Sequence, residues 1–189
     1  MSKNLFFDLR KLGSCGKNVI IGRTVRIRYP ELVHLGDNCI IDDFTYISTA
    51  LRLAGYVHIA AGCKLIGGRK CLVSMDRFST LAPNVVLSAG TDDYRGGIAT
   101  PFVPEKYKGN AEYGNIVIGC HCIVGASTVV LPRVRFADGA SVGALSLVKQ
   151  NLKAWTLYAG IPARELGRRD KAGILKAEKK FNLENNVTR

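Results

Sequence analysis

The chain has 189 residues, 47% of them hydrophobic, and a formal net charge of +12, which is one domain's worth of sequence with a sizeable core. No run approaches the ~18 apolar residues of a membrane span. Asp8 and Arg10 interrupt the apolar residues of Met1 to Gly13 where a signal peptide would need a core, so a cytoplasmic setting is expected. The basic residues are scattered, with few aromatics between them, which argues against nucleic acid and leaves an anionic surface or a polyanionic small ligand.

In chain order, Leu5, Phe6, Leu9 and Leu12 fall at helical spacing and predict a short amphipathic helix over 2–12, capping an open end. A six-residue period then governs 19–148. Its large apolar heads include Ile21, Leu35, Ile41, Ile47, Leu53, Ile59 and Leu65, then Met75, Leu81 and Leu87, and finally Ile118, Val124, Val130, Phe136, Val142 and Val148. Small or β-branched residues hold the fifth place. This period fits neither an amphipathic helix nor an alternating strand. It predicts a β-solenoid in which first and fifth side chains stack inward. Cys39, Cys63 and Cys122 fall on fifth places and read as small core residues. Cys120-His121-Cys122 is too short and isolated for zinc, so no metal is expected.

Gly67-Gly68-Arg69-Lys70 shifts the frame, as a bulge or widened turn would. The repeat vanishes over 89–117. A loop of this length is often functional, and this one carries Asp92, Asp93 and Tyr94, then Gly96-Gly97, Pro101 and Pro104. Residues 152–183 read as a cover: an irregular stretch to Arg164, then a basic amphipathic helix from Leu166 to Leu183.

The hexads, the single long excursion and Ala159-Gly160-Ile161-Pro162-Ala163-Arg164 together resemble the left-handed β-helix acyltransferases. The likeness runs from Ile20 to Arg168 and is strongest to the maltose and galactoside O-acetyltransferases and the sugar acetyltransferases of surface-polysaccharide synthesis. It implies an all-β solenoid, a left-handed parallel β-helix with short terminal helices. It also implies a homotrimer with acetyl-coenzyme A held between neighbouring subunits, and a sugar or nucleotide-sugar acceptor.

Acetyl transfer needs a base for the acceptor, donors for the thioester oxyanion and a seat for the coenzyme. Galactoside-type enzymes place a histidine near position 92. Here no histidine lies between His58 and His121. Asp92, adjoining Asp93, is one candidate base if burial or its neighbour raises its pKa, and His58 is the other. His121 sits at a turn place and reads as structural; His34 is assigned no role. The resemblance seats the pantetheine arm beside Ala126 and Ala144, with Gly160 in the signature and Lys149, Arg164 and Arg168 toward the phosphates. The expected function is sugar O-acetylation, with N-acetylation of a nucleotide-linked amino sugar as the alternative. An amine delivered neutral asks less of a base. A zinc enzyme would need converging histidines, and His34, His58 and His121 are far apart in sequence; a catalytically inert scaffold would not need the coenzyme signature.

Overall fold

The computed structural model describes residues 7–185 and 187. Parallel strands stack as three ladders, one per face; most are short, while Tyr46–Leu53 and Lys64–Met75 each run round a corner through two faces. Face one runs through Cys15, Leu35, Leu53, Met75, Ile118 and Phe136. Face two runs through Ile21, Ile41, Ile59, Leu81, Val124, Val142 and Tyr158. Face three runs through Ile27, Ile47, Leu65, Leu87, Val130 and Val148. Cys15 and Ile27 at the lower end are only partly buried; the other heads are buried, and each large aliphatic one stabilises the column by about 1.5–3 kcal/mol relative to exposure.

The fifth places show why small donors stand there. Cys39, Cys63 and Cys122 are fully buried, and their thiols reach the carbonyls of Ala54 (3.0 Å), Ala82 (3.3 Å) and Ala137 (3.3 Å). Thr128 Oγ1 donates likewise to the Gly143 carbonyl at 3.0 Å. Each serves a carbonyl of the next coil that the ladders leave over. Burial pushes the Cys63 thiol up to about 11 and the Cys122 thiol up to about 12, so both are poor nucleophiles.

Three boundaries differ from expectation. The column begins at Ser14–Cys15, a hexad earlier than residue 19, because Cys15 pairs in register with Leu35 although it is not a large apolar head. Above Val148 the coils continue: Leu152 bridges Phe136, Thr156–Ala159 extends face two, and Arg164–Arg168 pairs antiparallel with it. That last strand gives the open top edge its hydrogen-bond partners and takes residues expected to start the helix. The helix, α1, spans Lys171–Glu184, with the Asp170 side chain accepting from Gly173 N–H at 2.9 Å. Of the helix expected over 2–12, Ser2 to Phe6 lie outside the described residues. The rest holds a 3-10 turn at Leu9–Lys11, and Phe7, Leu9 and Leu12 pack on the lower end of the core. Among the described residues no helix is long and apolar enough to cross a membrane.

The corners carry the non-core chemistry. Most hexads turn through a left-handed residue at their fourth place, and on the corner between faces one and two these are Asn18, Asn38, Tyr56, Phe78, His121, Gly139 and Trp155. A left-handed non-glycine costs roughly 1–2 kcal/mol. Ring stacking offsets part of it: the Tyr56–Phe78 and Phe78–His121 centroids are each 5.2 Å apart, close to the spacing of adjacent strands. Helix α1 covers this column, with Phe181 edge-on to Tyr56 and Phe78, and Glu178 paired to His121 Nε2 at 2.9 Å. His121 is thus a structural residue of the corner, as its turn place implied.

The third corner, between faces three and one, holds the two largest departures from the repeat, besides the 3-10 turn at Pro30–Leu32. The Gly67–Cys71 bulge leaves coil three; Gly68, at φ 78°, takes a conformation that favours glycine. The excursion leaves coil four and rejoins face one at Ile116–Ile118, just before the expected end of the loop at 117. Its stem is an antiparallel pair, Gly90–Thr91 with Glu112–Tyr113, and a side chain at Gly90 would strike the Tyr113 ring.

Candidate active site

Asp92 directly follows the excursion stem and is exposed. Its carboxylate is not buried within one chain. Lys108, whose side chain is only 12% exposed, bonds Glu105 at 3.0 Å and lies within electrostatic reach of Asp92. Asp93, the neighbouring candidate, is bonded within the excursion itself. Its carboxylate accepts the backbone N–H groups of Asn110 (2.8 Å), Arg95 (2.9 Å) and Gly96 (3.2 Å). These bonds, Asn110's first, hold it below the usual carboxylate range. Through these bonds Asp93 staples the excursion.

His58 projects from face two and pairs through Nε2 with Asp42 at 2.8 Å. No hydrogen bond or ion pair joins His58 to Asp92 among the described residues. The remaining candidates do come together. Ala126, Ala144 and Gly160 each lie two places after a face-two head, Val124, Val142 and Tyr158, and stack on the second corner in successive coils. The backbone N–H groups of Ala126 and Ala144 have no partner among the described residues. An extended ligand with amide carbonyls could accept from both, and the methyl side chains leave it room. Lys149 and Arg164 lie at the upper end, where Ala163 N–H bonds Leu147 O at 2.8 Å; both are exposed.

Sequence reasoning missed the cations of the third corner. Arg69 pairs with Glu31 at 2.8 Å and lies 4.8 Å over the Tyr29 ring, while Arg52 and Lys70 are exposed nearby. Their only signal was the frame shift at Gly67–Lys70. Among the described residues no group of three or more His, Cys, Asp or Glu could hold a metal ion.

Comparison with known proteins gives these features a context. No family profile matches the chain. A dTDP-4-amino-4,6-dideoxy-D-glucose acyltransferase of Escherichia coli is 33% identical over 180 residues, 92% of this chain and 92% of that one. WcaF of Escherichia coli (strain K12), assigned to colanic acid biosynthesis as an acetyltransferase, is 30% identical over 83% of this chain and 70% of its own. Among solved structures, AntD, an N-acyltransferase from Bacillus cereus in complex with dTDP and 3-hydroxybutyryl-CoA, superposes with a TM-score of 0.90 at 32% identity, over 98% of this chain and 100% of that one. The stacked hexads, the single excursion and this end-to-end similarity show that the chain belongs to the hexapeptide-repeat sugar acyltransferases, enzymes of left-handed parallel β-helix fold.

Proposed function

We propose that the protein transfers an acyl group from acyl-coenzyme A to the amine of a nucleoside-diphosphate-linked amino sugar, in the cytoplasm, as a homotrimer serving surface-glycan synthesis. The observation that carries this reading is similarity along 92% of both chains to an acyltransferase of a dTDP-linked 4-amino sugar. It favours the N-acyl alternative over the O-acetyl transfer first expected.

The chemistry agrees with the missing histidine. A hydroxyl must begin to lose its proton before it attacks a thioester. An amine attacks through its lone pair and then carries a strongly acidic proton. A carboxylate with pKa near 3.9 is too weak a base for the first task but adequate for the second. Asp92 takes that proton as the C–N bond forms; collapse of the tetrahedral intermediate breaks the C–S bond, and the proton held by Asp92 passes to the departing sulfur, restoring the carboxylate. The coenzyme lies along Ala126, Ala144 and Gly160, with Lys149 and Arg164 toward its phosphates.

Two features support a shared site. Asp92 hangs from the third corner and the small-residue column runs along the second, a full face away, roughly 15 Å by strand rise. A neighbouring copy would bring one chain's excursion to another's column. Face two and its corner expose several apolar side chains beside the His58–Asp42 pair: Ile20, Ile123 and Leu157 are about 40% exposed, and Phe44 and Leu145 are 73% and 69% exposed, a patch suited to subunit contact. His58 stands on that face and has an interface role.

The test is thiol release from acetyl-coenzyme A with dTDP-4-amino-4,6-dideoxyglucose and with the matched 4-hydroxy sugar nucleotide. Release with the amine alone is expected. Equal or faster turnover of the hydroxyl acceptor would return the protein to O-acetylation, the reading favoured by its similarity to WcaF.

A further inference from the structure

The excursion carries a largely covered cation. Lysine is rarely hidden, yet the Lys108 side chain is only 12% exposed, in a segment where most residues are exposed. The fold of the excursion puts it there. Beyond the Gly90–Tyr113 and Thr91–Glu112 pairs of the stem, the outgoing and returning limbs stay side by side. Asp93 accepts from Asn110 N–H at 2.8 Å, and Ile98 N–H donates to Tyr107 O at 2.8 Å. Gly97, at φ 82°, lies so close to the Lys108 backbone that a side chain there would strike the Lys108 carbonyl. Lys108 is thus held on the returning limb, beside the limb that starts at Asp92.

The charged and titratable groups facing Lys108 are Glu105, three residues earlier, Tyr113 on the stem and Asp92 on the outgoing limb. The bond from Glu105 holds the Lys108 ammonium above the usual lysine range against the opposing effect of burial, with Tyr113 and Asp92 adding to it. Lys108 therefore carries its charge through the neutral range. The Asp93 carboxylate is turned to backbone N–H groups. Asp92 makes no hydrogen bond among the described residues, so its oxygens are open to an acceptor.

A lone carboxylate suits an amine acceptor badly. Near neutral pH much of such an amine is an ammonium ion, which has no lone pair, and an unbalanced carboxylate would hold it in that form. We infer that Lys108 is a positioning residue acting through Asp92: its ammonium balances the carboxylate, so the acceptor enters as the uncharged amine, its extra proton left in water. That amine then attacks the thioester and gives Asp92 the proton it sheds as the C–N bond forms. The inference rests on the amine acceptor and on Asp92 as proton acceptor, both proposed above, and adds how the site admits the reactive form.

The test is steady-state transfer from acetyl-coenzyme A to dTDP-4-amino-4,6-dideoxyglucose by the full chain, from about pH 6.5 to about pH 9. Two variants remove the charge: Lys108→Met, and Lys108→Gln, which can still bond Glu105. In both, trapping of the ammonium form should lower kcat and the KM for the sugar together at pH 7, each by about 10-fold, with kcat/KM nearly kept. Most of the lost kcat should return by pH 9. Lys108→Arg should match the native chain, as should Lys176→Met on helix α1. A fall in kcat/KM that persists at pH 9, or native kinetics in Lys108→Met, overturns the inference and leaves the N-acyl reading intact. Recovery with pH that survives in Lys108→Met/Asp92→Asn also overturns it, since Lys108 would then not act through Asp92. A native chain that does not acetylate the amine overturns both.

Discussion

The first and second corners are built on the same left-handed turn yet filled in opposite ways. On the first, Tyr56, Phe78, His121 and Trp155 stack into a column and helix α1 seals it. On the second, Ala126, Ala144 and Gly160 follow the heads, and two backbone donors are left over. The backbone sets a repeating ledge; side-chain size decides whether it becomes a packing surface or stays open. A solenoid can therefore separate stability from binding by corner, which a compact core with one interior cannot do so cleanly.

The strongest challenge to this division is at the excursion. Asp92→Asn should lower kcat by about 10²–10⁴ while coenzyme A affinity and the unfolding midpoint stay put; undiminished turnover would remove Asp92 from the chemistry. Next comes a reciprocal pair. Ala144→Trp, filling the second corner, should raise KM for acyl-coenzyme A by about 10-fold or more without changing stability. Phe78→Ala, emptying the first, should cost about 2 kcal/mol in urea unfolding, less than a fully buried phenylalanine, and leave kcat unchanged. If both variants lost stability equally, the corners would not be distinct.

A smaller effect is expected at Asp93. Its folded pKa is depressed by Asn110 and Arg95 N–H, so the ordering it provides is complete above the unfolded value near 3.9. That ordering is lost as pH falls through the lower folded value. Pepsin cleavage within the excursion should rise in this acid range, and Asp93→Ala should already be cut readily at pH 5, where the native chain resists. The smallest effect belongs to Lys149→Ala and Arg164→Ala, both exposed. Each should raise KM for acyl-coenzyme A no more than about fivefold.

The amino-acid sequence alone determined the coil register, because inward places recur every six residues and a one-residue slip would expose Ile41, Leu65 or Val124. It also marked the excursion, by the absence of that period, and the small residues of the second corner. Tertiary structure decided what depended on stacking. Phe78 and His121 are 43 residues apart and touch because coils lie one strand spacing from each other; Arg69, on the Gly67–Cys71 bulge, reaches Glu31 across 38 residues and a whole intervening coil. The two aspartates were indistinguishable as letters. Only the fold of the excursion gave one of them three amide donors and left its neighbour at the open end of the stem, since hydrogen-bond partners are set by chain closure and not by composition.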